Sequence, residues 1–212
     1  GITSASDGIW ERGLSEGTSD NGTNYNPDGD VSGDCTDFAY VTGLVAGGQV
    51  GTNDVDDFNT ILTSPIFDLS ANQVYFINYY SWFQNNFPWG GQPNDSLKVS
   101  LSNGSNTVVL QTVTGNSADL GQWNYNSFEI AQYITPTATM QLIIETADWD
   151  ALGGHWVEGG FDKFEITNAP TAIADVITHQ KGKLIVRSNN TIGCEVLLLF
   201  PRLTLPVTDY SN

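Results

Sequence analysis

A chain of 212 residues with 24 Asp and Glu against seven Lys and Arg carries a formal charge of −17. Binding a polyphosphate is driven by Lys and Arg releasing counterions, so the charge excludes nucleic acid as a partner and disfavours an anionic membrane surface. Twenty-two glycines, one methionine and many Asn, Thr, Ser and aromatic residues exclude a helical protein, and no apolar run is long enough to span a bilayer.

The first strand is expected around Ile9–Arg12, stopped by Gly13. Residues 14–34 are nearly all Gly, Ser, Thr, Asn, Asp and Pro, which is loop composition. Phe38–Thr42 reads as a strand, and residues 43–51 as a glycine-rich connection. Asp54, Asp56 and Asp57 then run directly into Phe58–Leu62, with Ile66–Leu69 following Pro65 as an edge or bend. Val74–Phe83 is a long aromatic strand with Tyr75, Ile77, Tyr79 and Ser81 on one side and Phe76, Asn78, Tyr80 and Trp82 on the other. After a loop over 84–93, Leu97–Leu101 alternates cleanly, Asn103-Gly104 marks a hairpin turn and Thr107–Thr114 is its partner. Trp123–Ile130, a short Tyr133-Ile134 piece, Met140–Thr146 and a last strand at Gly160–Ile166 complete the body. About nine or ten short strands with Gly/Asn/Asp turns predict an all-β protein, a two-sheet antiparallel β-sandwich or jelly roll, with a C-terminal β tail.

Carboxylates are the chemistry-bearing groups. Three within four residues at Asp54–Asp57, with no Lys or Arg among them, call for a hard cation if the loop is ordered. Asp28, Asp30, Ser32 and Asp34 place oxygen side chains at alternate positions with Gly33 at the sixth, like the first half of a calcium loop. The closing Glu is missing, since Ala39 stands at the twelfth position, and an ordinary turn cluster is the other reading.

The ordered set Gly8-Ile9-Trp10-Glu11-Arg12-Gly13, Asp30–Asp34, Phe38–Gly43, Asp54-Val55-Asp56, Leu62–Pro65, Tyr80-Ser81-Trp82 and Val157–Phe164 resembles the MAM-like and cleaved-adhesin-type jelly-roll modules of secreted bacterial proteins. The resemblance covers about residues 8–168. It implies structural calcium between the opening strand, the acidic loop and the last strand, with Glu11, Asp54, Asp56 and Asp162 as ligands and Asp30, Asp57 and Glu158 as further candidates. Those modules carry Gly after the second acid of the central motif, where this chain has Asp57-Phe58.

Residues 1–168 are therefore expected to form the sandwich, 169–172 a linker and 173–212 a tail. Charge divides similarly: residues 1–172 carry 21 acids against three bases (−18), and residues 173–212 three against four (+1). The tail's apolar strands, Lys183–Arg187 and Cys194–Phe200, are too short to build a core. It can add a hairpin to its own sandwich, with Cys35 and Cys194 close enough to pair. It can instead open a secretion-sorting domain of the Bacteroidetes type, which its Gly-Lys-Leu start resembles, or enter a neighbouring subunit as a donor strand and build a homo-oligomer or filament.

For catalysis the inventory is thin: two histidines, His155 and His179, and no nucleophile in an activating context. His155, beside Trp156, reads as a packed strand-end residue. Phe87 and Trp89, or Trp149 and Trp156, could instead stack on the faces of surface glycans. The expectation is a secreted or cell-surface, non-catalytic, calcium-stabilised module for adhesion or extracellular assembly. The alternative is a carbohydrate-binding accessory module of a secreted enzyme.

Overall fold

The computed structural model describes residues 2–5, 7–20, 22–33, 36–44, 50–86, 94–149, 155–168, 179–180 and 183–184. Its strands are β1 (Ile2–Thr3), β2 (Trp10–Gly13), β3 (Thr18–Asp20), β4 (Thr23–Asn26), β5 (Ala39–Thr42), β6 (Phe58–Thr63), β7 (Tyr75–Asn86), β8 (Ser96–Ser102), β9 (Thr107–Thr114), β10 (Asn124–Glu129), β11 (Gln141–Asp148), β12 (Trp156–Asn168), β13 (His179–Gln180) and β14 (Lys183–Leu184). Two five-stranded sheets, β1-β6-β11-β8-β9 and β10-β7-β12-β5-β2, stack face to face. All their pairings are antiparallel. From β5 onward the strands are distributed between the sheets in jelly-roll order, so the expected fold class holds.

Period-two alternation builds the core. Ile77, Tyr79 and Phe83 of β7 and Val157 and Phe161 of β12 face inward, and meet Leu97, Val99, Leu101, Leu142 and Ile144 from the other sheet. Burying each such side chain contributes about 1.5–3 kcal/mol. A smaller apolar cluster lies on the opposite face of the second sheet, where Ala39, Val41 and Trp82 are buried with Leu44 and Trp123 against them.

Several boundaries depart from the sequence reading. The expected loop at 14–34 contains the β3–β4 hairpin, whose strands are almost wholly polar and therefore look like loop; Gly22, at φ +81°, forms its turn. Tyr25 fixes the hairpin to the sandwich by meeting Trp156 edge-on, ring centroids 5.4 Å apart. β12 starts at Trp156, four residues before Gly160, because Gly159 and Gly160 continue the ladder with β7. The expected segment at Ile66–Leu69 shrinks to a single bridge between Phe67 and Met140. Pro65 before it has no N–H to give a ladder.

Gly160 faces Trp82 across the β7–β12 ladder, and a Cβ there would collide with the indole ring. Gly160→Ala should therefore destabilise the sandwich by about 1–3 kcal/mol, the usual cost of overpacking a filled site. The denaturation midpoint in urea checks this: an unshifted midpoint would mean that Trp82 can move freely.

Candidate cation centre and binding face

On β12 the side chains of 157, 159 and 161 point into the core, so Glu158, Gly160 and Asp162 point outward. Glu158 lies directly across from Gln84 of β7. Both are covered: Glu158 is 2% exposed and Gln84 is 9% exposed. The cover includes the β3–β4 hairpin, since β4 packs on β7 and β12. Neither carboxylate oxygen of Glu158 nor Oε1 of Gln84 has a hydrogen-bond partner among the described residues. Three acceptor oxygens thus share a buried patch in which the Asn26 side chain gives Glu158 only weak donor support, an arrangement that costs free energy unless protons or a cation enter it.

Asp54 joins this patch from the loop before β6. Gly8, at φ +63°, lets the N-terminal segment lie directly on the Asp54-Val55 backbone, and Val55 N donates to Val157 O at 2.9 Å. The loop is thereby fixed to β12 beside Glu158. Burial pushes Asp54 up to about 7, with Asp56 and Asp148 adding repulsion and the backbone N–H of Val157 opposing them. Burial, then repulsion from Asp54, pushes Glu158 up to about 7 as well, with Asn26 tempering the shift.

Beyond Asp54 the acidic band continues between the sheets. His155 Nδ1 lies 2.8 Å from Asp95 Oδ2 and 3.7 Å from Asp148 Oδ1, all three residues being buried. Asp95 also accepts from Trp149 N at 3.0 Å and Asn85 Nδ2 at 3.3 Å. The ligand atoms of this trio lie within 4.8 Å of one another, so the group could hold a metal ion. A ring nitrogen is a poor ligand for calcium, which takes oxygen, and the hydrogen bonds already present make the trio a polar plug at this end of the sandwich. Asp54, Glu158 and Gln84 offer oxygen alone, the ligand type a hard cation takes.

The expected ligands divide accordingly. Asp54 and Glu158 come together. Glu11 is exposed on β2, two strands away from β12. Asp56 is half-buried and its backbone forms a β-bridge with Asp7; burial, then repulsion from Asp57 and Asp7, raises its pKa. Asp57 is exposed, with φ 54°. Asp162 instead holds the 28–33 loop, accepting Val31 N at 2.9 Å, while Lys163 Nζ donates to Ser32 O at 3.2 Å. A lysine and a carboxylate thus hold the loop whose alternate oxygens resemble half of a calcium loop. Asp28 accepts Gly17 N at 3.2 Å, Asp30 is half-buried, and Asp34, Cys35, Phe87, Trp89 and Cys194 lie outside the described residues. Sequence reasoning missed Asp95, Asp148 and Gln84, which sit among other polar residues near strand ends and carry no motif; His155 is packed just before β12.

The other half of the same outer face is open. Tyr125 of β10 is 59% exposed and packs on Tyr80 of β7, centroids 5.3 Å apart, with Lys163 Nζ 5.8 Å from the Tyr80 ring centre. Below them Asn78 is held on both ends of its amide. Its Oδ1 accepts from Tyr125 Oη at 3.0 Å and Ser127 Oγ at 2.8 Å, and its Nδ2 donates to Thr167 Oγ1 at 2.9 Å. The result is an aromatic and hydroxyl platform with little conformational freedom. Trp149 is exposed at the acidic end, whereas Trp156 is half-buried against Tyr25.

An all-β jelly roll, one sheet of which is buried on its inner side and carries polar chemistry on its outer side, is the class these features define. No protein-family model and no curated protein matches the sequence. The chain is similar to a solved structure described as "CBM4 structure and function", at 12% identity, with a TM-score of 0.33, over 68% of this chain and 91% of that one. The MAM-like resemblance is supported at the level of the sandwich and not of the family.

With divalent cations chelated, stability should fall as pH rises. Asp54 and Glu158 bind protons more tightly in the folded chain than in the unfolded one, so their contribution is full below about pH 4 and lost as pH passes about 7. Melting temperatures measured in chelator from pH 5 to 8 should decline, and Glu158→Gln should flatten the decline. An identical slope in that variant would remove Glu158 from the account.

Proposed function

We propose that this chain is a secreted, non-catalytic carbohydrate-binding module. The observation that carries the reading is the open face formed by Tyr125, Tyr80 and the doubly anchored Asn78 amide. A pyranose ring offers C–H groups to an aromatic face and hydroxyls to its surroundings. Tyr125 supplies the face, and the hydroxyls of Tyr125, Ser127 and Thr167 retain lone pairs for the sugar. Because Asn78 already orders these groups, little side-chain entropy is lost on binding. Trp149 extends the proposal as a second exposed aromatic.

Tyr125→Ala should weaken binding to immobilised glycans about tenfold, equivalent to about 1.4 kcal/mol, while the loss of its packing on Tyr80 and its hydrogen bond to Asn78 lowers stability by about 1–2 kcal/mol and leaves the chain folded. Glycan binding that survives unchanged in this variant would move the site off the open face.

A second reading concerns the scaffold, and Glu158, with both oxygens buried and unpartnered, favours it. Asp54, Glu158 and the Gln84 amide oxygen would hold a calcium ion, which would neutralise the pair and tie the acidic loop to β12. Its chemistry there is charge neutralisation alone. A ligand bound only by the folded state stabilises it, so millimolar Ca²⁺ at pH 8 should raise the melting temperature relative to chelator. No rise would leave protonation as the way the pair is neutralised.

A further inference from the structure

β5 pairs with β12 only at Gly160 and Phe161. From Glu165 to Asn168, β12 continues its ladder with β7, but among the described residues no strand lies on its other side. That open edge runs along a cleft of about 600 Å³ lined mainly by Pro65, Ile66, Phe67, Tyr75, Phe164 and Ile166. Ile66 is 65% exposed at its rim. A free strand edge beside an apolar groove is a template for one more strand, whose backbone would complete the ladder and whose side chains would fill the groove.

We propose that Cys194–Phe200 of this same chain is that strand. Its run Val196-Leu197-Leu198-Leu199-Phe200 is apolar on both alternating faces, the pattern of a strand covered on both sides. Asn168, the last residue of β12, lines the cleft itself. Twenty-five residues separate Asn168 from Cys194, enough for a return to the same edge. Charge favours the pairing too. Residues 173–212 carry +1 against −18 for residues 1–172, and Asp68 and Glu165 stand at the cleft where Arg202 would follow the strand. The strand would place its backbone against residues 164–168 of β12, on the side away from β7.

Hydrogen exchange of the full chain, read by mass spectrometry, tests this. Amides of 194–200 and of 164–168 should be protected together, at a level independent of protein concentration. Ile66→Asp, at an exposed rim position that leaves the sandwich core intact, and Leu198→Asp should each speed exchange of both segments at least tenfold, with the β7 and β8 peptides unchanged. Unprotected amides at 194–200 in the wild type, or protection indifferent to both substitutions, would overturn the proposal. Protection that grows with concentration alongside a doubled mass in light scattering would overturn it as well, by assigning the strand to a second copy.

Discussion

The β7–β12 ladder is the interaction on which the rest of the molecule depends. Eleven residue pairs, from Trp156 with Asn86 to Asn168 with Tyr75, join the two longest strands at the middle of one sheet. Alternation then gives each strand two separate tasks. The inward residues, Ile77, Tyr79, Phe83, Val157 and Phe161, supply much of the core. The outward residues form a row whose character changes along its length: Glu158 beside Gln84, Gly160 beside Trp82, Asp162 beside Tyr80, Glu165 beside Asn78 and Thr167 beside Phe76. A one-residue slip would exchange core for surface, so the apolar side fixes the position of every polar group on the other side.

What covers that row decides what it does. Over Glu158, Gln84 and Trp82 the N-terminal segments fold back and exclude water, so carboxylates there are raised to about 7 and unpaired oxygens are costly. Further along, Asn78 is covered by Tyr125, Ser127 and Thr167, which hydrogen-bond to it, and the exposed Tyr125 presents its ring to solvent. The bulge between Asp162 and Glu165 marks the change of regime. Lys163 sits in it at φ 49°, and its side chain turns towards the 28–33 loop and the Tyr80 ring. A β-bulge re-aims side chains in this way without breaking the strand.

The sandwich was legible because strands buried on one face must alternate, and Tyr75 to Trp82 do so with both faces assigned correctly. The acidic loop at Asp54 stood out in the sequence because three Asp cluster there with no base among them, and the structure buries Asp54 beside Glu158. Its partner set was less so. Glu158 and Gln84 meet through cross-strand register, and Asp95 and Asp148 meet His155 across the two sheets; neither spacing is a feature of a single segment. Tyr125 lacked a signal for the same reason, since a lone exposed tyrosine on an edge strand becomes part of a platform only when β10 lies beside Tyr80. The aromatic residues favoured from sequence were Phe87 and Trp89 in a loop and Trp149 and Trp156 near the last strand; Trp149 is exposed and Trp156 is half-buried against the β3–β4 hairpin.

The most direct test of a carbohydrate-binding outer face is an amide NMR spectrum titrated with soluble oligosaccharides of several linkage types. Shifts should converge on Asn78, Tyr80, Tyr125, Ser127 and Thr167 for the sugar that binds, while inward residues such as Ile77 and Val157 stay still. Shifts gathered elsewhere on the sandwich, or no response to any of the sugars, would contradict the assignment.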